Sequence, residues 1–337
     1  MRNLSGFTLV ELMIALTLGL VLIGGIVQLF ISTREAYRVN DALARVQETG
    51  RIALETLARD IRLSGYSGCQ RSGNLTINAI GAGAGVIGPI LAGPAARGPV
   101  QGYDNGATPA GSPAPLPGTD SIFLSGMGSA STNIDPPGAA TKMTTQTAAI
   151  PFAAGGAWNT GDILLVADCQ LENSNANAFF APAPGNNGAA GSIPSPGRLA
   201  TRFATDAVIG PMFFANYLIM NDVDGVPSLF RHDLTAAAPV VIAQGVEDME
   251  FRFGLDNTND GIPDVYLETN AVGAANWNDV YAVEISLLLR DPNPVGNVTT
   301  GTQSYRFPSW AAADTQDNSR FMHAVVSTTV ALRNRVQ

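Results

Sequence analysis

The stretch GFTLVELMIALTLGLVLIGGIVQLFI, residues 6 to 31, is a nearly unbroken apolar run that carries one acid, Glu11, close to its start. From Phe7 to Ile31 the only clearly polar members are Thr8, Glu11, Thr17 and Gln28. As a helix rising ~1.5 Å per residue it reaches about 38 Å, more than the ~30 Å hydrocarbon core of a bilayer. The run is expected to cross a membrane. A secretory signal has a charged start, a shorter apolar stretch and a small-residue cleavage site after it. Here the polar leader MRNLSG comes first, Gly6 lies before the apolar run, and no A-x-A-like site follows Ile31. The order suggests a cut between Gly6 and Phe7 that keeps the helix on the mature chain. Glu11 is costly in such a place and calls for a partner or a function; the plainer reading is that it snorkels to the nearby interface.

Working outward, residues 32 to 63 contain no Pro, and Val39, Leu43, Val46, Leu54, Leu57 and Ile61, with Ala53 beside them, recur at steps of mostly three and four. That spacing predicts an amphipathic helix continuous with the apolar one, loosened if anywhere at Gly24, Gly25 or Gly50 and stopped by Gly65 and Gly68. One face is expected to pack on the chain's own body, and the membrane half on equivalent helices of other subunits.

Beyond the helix the composition is that of a β-rich body with long loops. Residues 81 to 118 and 181 to 198 are rich in Gly, Ala and Pro and read as surface excursions. On either side of them lie segments rich in Val, Ile and aromatic residues: 121 to 125, 162 to 168, 207 to 220, 228 to 234, 239 to 256, 279 to 291 and 320 to 334. An antiparallel sheet packed on the amphipathic helix follows most simply, an α+β fold. Net charge is −9, and the first 65 residues hold seven Arg against six acids, so the acidity belongs to the remainder. Nucleic acid is not expected as a direct partner of that body.

G-F-T-L-V-E-L-M-I-A-L resembles the prepilin signature of type IV pilins and type II secretion pseudopilins. The resemblance implies cleavage by a prepilin peptidase after Gly6, N-methylation of Phe7, and pairing of Glu11 with the terminal amine of a neighbouring subunit. ARDIRLSGYSGC, GVEDMEFRFGLD, EISLLLR and RFMHAVVSTTVALRNR, at the helix end, centre and carboxyl end, are similar to the PilW family of minor pilins. This implies a pilin-like fold divided into a leader (1–6), a transmembrane half-helix (7–31), an amphipathic half-helix (32–64) and a periplasmic or extracellular body (65–337). Implied partners are other minor pilins, the major pilin, the inner-membrane assembly platform and a tip adhesin, in a priming complex that supports twitching motility and attachment. A secretion pseudopilin and a tip-located binding module are the alternatives.

Cys69 and Cys169 are the chain's two cysteines, and in an extracytoplasmic body a disulfide is their default; two free thiols are the alternative. DNTNDGIPD, residues 256 to 264, resembles a calcium loop. Asp256, Thr258, Asp260 and Asp264 stand at positions one, three, five and nine, and Gly261 at six, but position twelve is Leu267 where a bidentate acid belongs. A hairpin turn explains the same residues, and no other cofactor is expected. His232, beside Asp233, and His323 read as surface or strand histidines, and the pair Glu247 and Asp248 suits an exposed strand edge. With no G-x-S-x-G, H-E-x-x-H or P-loop, no enzyme is expected.

Overall fold

The computed structural model describes residues 8–68, 76–80, 99–128, 130–136, 142–169, 175–181, 190–194, 196–258, 260–273, 276–294, 303–317 and 319–332. Helix α1, Leu9–Leu63, is continuous over 55 residues, about 80 Å at ~1.5 Å per residue. It passes unbroken through Gly24, Gly25 and Gly50. Thr8 caps its start, accepting from the Glu11 N–H at 3.3 Å. At its end the Ser64 N–H donates to the carbonyls of Asp60 and Ile61, and Gly65, at φ +76°, turns the chain away.

The two halves of α1 meet different surroundings. Between Leu9 and Ile31 the large apolar side chains are 50% to 75% exposed. From Ala42 onward the helix buries Ala42, Val46, Gly50, Ala53, Leu57, Ala58, Asp60 and Ile61. Leu43, expected on this face, is 36% exposed. Gly50 is the point of closest approach: a Cβ there would meet Leu289 Cδ1 at 2.5 Å and Val326 at 3.2 Å.

The body begins with β1 (Thr76–Ala79), β2 (Val100–Tyr103), β3 (Ser121–Met127), β4 (Thr132–Asn133), β5 (Ile150–Phe152) and β6 (Ile163–Ala167). It continues with β7 (Asn175–Phe180), β8 (Gly191–Ile193), β9 (Val208–Asn221), β10 (Pro227–Asp233), β11 (Val240–Gln244) and β12 (Val246–Leu255). Last come β13 (Val265–Glu268), β14 (Val280–Arg290), β15 (Gln303–Tyr305), β16 (Thr315–Asp317) and β17 (His323–Ala331).

The larger sheet runs β1-β7-β6-β9-β10-β11, with β2, β3 and β4 attached through β9. Along β9 the partners change: residues 208–211 pair with β6, 212–217 with β3 and 215–221 with β10. Pro211, which has no N–H to donate, stands where they change. The smaller sheet, β13-β12-β14-β17, is antiparallel throughout. The β1–β7 pair is parallel, while the other pairings among the described strands are antiparallel.

Burial follows the strand period of two. On β12, Met249, Phe251 and Phe253 point into the main core while Asp248, Glu250 and Arg252 lie between them on the other face. That core joins the helix residues Val46, Ala53, Leu57 and Ile61 to both sheets. β6 is buried on both faces: Leu164 and Val166 enter one apolar cluster, Ile163, Leu165 and Ala167 another.

Two expectations need correction. Residues 239 to 256 form two strands in different sheets, because Gly245, at φ +82°, breaks them. A Cβ there would collide with the Arg290 carbonyl oxygen, so glycine alone fits. The stretch 81 to 118 is not only a surface excursion: its described part contains β2, where Val100 is fully buried, and Leu116 packs on the main core.

Candidate functional site

The exposed half of α1 is built as lipid-facing helix should be. Within it Thr17 Oγ1 returns to the helix backbone, donating to the Ile14 carbonyl at 2.9 Å, and just beyond it Thr33 Oγ1 donates to that of Leu29 at 2.8 Å. Arg34, just beyond the apolar run, lies 5.6 Å from the Phe30 ring centre, with its head free to reach the interface. Glu11 sits in the first turn, where the helix dipole favours a negative charge. Gly6 and Phe7 lie outside the described residues.

The other half of α1 is locked to the body by a polar joint. Asp60 is 6% exposed; its Oδ2 accepts from Tyr217 Oη at 2.7 Å and from Arg231 Nε at 3.0 Å. Burial and the Asp60 charge push the Tyr217 phenol well above its ordinary range, so it stays a donor. Higher on the helix, Arg45 bridges the fully buried Asp291 at 2.9 Å and the adjacent Asp41. With Gly50, these contacts fix the axis of α1 to the body at three levels.

A family model described as Type IV Pilus-assembly protein W matches residues 216–334. A second, the prokaryotic N-terminal methylation motif, matches residues 1–27. Together the two matches support a type IV minor pilin of the PilW family. No curated protein and no solved structure matched it. The longer match begins within β9 and takes in β10 to β17, the whole smaller sheet on which α1 rests, and the shorter one covers most of the exposed apolar helix. The pilin is anchored in the inner membrane by that helix, with its body in the periplasm.

The remaining expected sites are spread over the body. Cys69 lies outside the described residues. Gly68, just before it, packs against Val208, 2.9 Å from that residue's Cβ to an ideal Cβ on the glycine. Val208 pairs with Ala167, two residues before Cys169. Gly68, the last described residue before that gap, therefore lies beside the strand end that leads to Cys169.

In the 256 to 264 loop the carboxylates serve the turn itself. Asp256, 2% exposed, accepts from the N–H groups of Asp260 at 3.2 Å and Gly261 at 2.8 Å, and Asp264 from those of Asn257 at 2.7 Å and Thr258 at 3.0 Å. Asp260 accepts from the Ile262 N–H at 2.9 Å. Among the described residues no group of three or more His, Cys, Asp or Glu side chains is arranged to hold a metal ion. The loop joins β12 to β13, and the hairpin reading accounts for each of these contacts.

The histidines and the acid pair sit deeper than the sequence suggests. His232 is 4% exposed on β10, its Nδ1 3.3 Å from Ser112 Oγ. His323 opens β17 with its ring between Glu247 and Asp317. Glu247 and Asp248 lie on the stretch of β12 that pairs with β14 but that β13, opposite Arg252 to Leu255, does not reach; both are half-buried rather than exposed, and burial pushes the Asp248 carboxyl up to about 7. Glu250 rises to about 8 and Asp120 to about 6, chiefly through burial, with neighbouring carboxylates adding repulsion. Sequence reading passed over Asp60 and Asp120 because an isolated acid among polar neighbours looks solvated; only the packing of α1 and β3 covers them.

Proposed function

We propose that this minor pilin joins other minor pilins in a short priming complex at the tip of a type IV pilus. The observation that carries the reading is the division of α1: one half is uncovered and apolar with Glu11 in its first turn, and the other is locked into the body. A rigid body on a bare apolar rod suits lateral packing with other such rods once the chain leaves the lipid. Cleavage falls between Gly6 and Phe7, the new terminus is methylated, and Glu11 pairs with the terminal amine of the neighbouring subunit. Other minor pilins, the major pilin, the inner-membrane platform and a tip adhesin are the partners; prepilin peptidase is the processing enzyme. The protein acts by assembly and not by catalysis, and twitching and attachment follow indirectly. Cys69 and Cys169 form a disulfide that fastens the helix exit to β6, a reading supported by the approach of Gly68 to Val208.

A clean deletion in the native host, with surface pili counted and secreted proteins quantified from the same cultures, tests this. Loss of pili with normal secretion, restored by the wild-type gene, is the expected result. Normal pili with proteins trapped in the periplasm would make the chain a secretion pseudopilin.

A further inference from the structure

Residues 303–317, carrying β15 and β16, fold as a strap against the outer face of the smaller sheet. The Ser309 N–H donates to Ser286 Oγ at 2.9 Å, and the Arg252 guanidinium lies 5.3 Å from the Trp310 ring centre. Gln303 donates to the Phe321 carbonyl at 2.7 Å and accepts from the His323 N–H at 3.1 Å. The His323 side chain is only 5% exposed and stands between carboxylates of two elements. Nε2 is 2.9 Å from Glu247 Oε2 on β12. Nδ1 is 2.8 Å from Asp317 Oδ2 on β16, a charge pairing off the line of a hydrogen bond. The Tyr305 ring lies 5.5 Å from the imidazole. These groups line a cavity of about 460 Å³.

A neutral imidazole has one N–H, a protonated one has two. Only the protonated ring presents an N–H and a positive charge to both carboxylates; the neutral ring turns a lone pair towards one of them. We infer that His323 is a proton-operated clasp: charged, it fastens the strap to β12 through Asp317 and Glu247, and neutral, it lets the strap loosen from the cavity it covers. The groups facing it are Glu247 and Asp248 from β12, Arg290 from β14, Tyr305 from β15 and Asp317 from β16. The remaining wall, Leu116 to Thr119 with Leu288, Ser319 and Phe321, carries no charge. Arg290 is already engaged, 3.8 Å from Glu247 and 4.4 Å from the Phe321 ring centre, and does not replace the ring as partner of Asp317. Burial acts to raise the Asp317 carboxyl, but the Ser319 hydrogen bonds and the His323 charge outweigh it and hold it below its usual range.

Amide hydrogen exchange of the full chain in detergent micelles at pH 5.5 and pH 8.0 tests the clasp, because histidine changes charge in this range. Rates are corrected for the intrinsic effect of pH, and the β15–β16 ladder is compared with the β9–β10 ladder. Protection of the strap should fall about tenfold between the two pH values while β9–β10 holds, the size of losing a close, partly screened charge pairing. His323→Gln and, separately, Asp317→Asn should show weak strap protection at both pH values. The double variant Asp248→Asn/Glu250→Gln removes the other carboxyls raised into this range and should keep the fall. Equal strap protection at both pH values in the wild type overturns the proposal, as does a fall that persists in His323→Gln or disappears in the double variant.

Discussion

Asp60 shows how one residue sets the relation between helix and body. Its carboxylate receives two donors from two strands of the larger sheet, Tyr217 on β9 and Arg231 on β10. Asp60→Ala leaves a buried phenol and a half-buried guanidinium without their acceptor, which costs about 3 kcal/mol. Thermal and urea unfolding of the full chain in detergent should show that loss; a change below about 0.5 kcal/mol would mean that water replaces the carboxylate. Nothing in the segment ARDIRLSG marks Asp60 as different from the other charges that alternate along the helix. The residues on which its burial depends lie more than 150 positions away, and the pairing of β9 with β10 brings them together. Leu57 and Ile61 were legible because large apolar groups at helical spacing announce a core face. Ala42 and Gly50 were not, because their value is the room they leave.

At the scale of elements, α1 and β12 carry the sharpest consequences. Gly50 admits the helix to within contact of β14 and β17, so Gly50→Val should lower stability by about 1–3 kcal/mol through overpacking. Gly24→Ala, with no atom within 4 Å of the added carbon, should leave unfolding of the body unchanged; a loss equal to that of Gly50→Val would overturn the assigned face. β12 places Asp248 and Glu250 where burial raises them to about 7 and about 8. A carboxyl raised in the folded state contributes stability that is full below its unfolded pKa, near 4, and lost as pH rises through the folded value. The urea midpoint should therefore fall between pH 5 and pH 9, and Glu250→Gln should flatten that fall; identical slopes would show that Glu250 stays ionised throughout. For the bridge between the helix exit and β6, faster gel migration without reductant and no alkylatable thiols in the native chain are expected. Equal mobility with two reactive thiols would exclude it. The strong strands, such as β6, β9 and β14, were readable from β-branched and aromatic runs. Short ones such as β2, β5 and β8 were not, since three or four residues among Gly and Pro acquire strand geometry only from the partner beside them.

For the whole molecule, the division of α1 and the single acid in its bare half lead to one requirement. A chain whose helix is locked at Gly50 and Asp60 cannot bend that helix to bury the apolar half against its own body, so lipid or other subunits must cover it. In lipid every apolar side chain of that half is satisfied, and Glu11 alone is not. Assembly reverses the account only if the packed helices offer that carboxylate a partner, and the proposed cut after Gly6 would supply one as a cationic terminal amine. Glu11→Ala removes the charge while leaving the leader, the helix and the body in place, and alanine is a better helix former than glutamate. The variant should be cleaved and inserted as the wild type is, read as normal processing on a gel and normal membrane fractionation. Its recovery in sheared pili should drop at least about tenfold, the scale of losing a charge-assisted contact in a water-poor setting. Glu11→Gln separates charge from hydrogen bonding and should fail in the same way if the pairing is ionic. Recovery at wild-type levels for both variants would leave Glu11 without an assembly role, and the packing of apolar helices alone would have to hold the subunit in the filament.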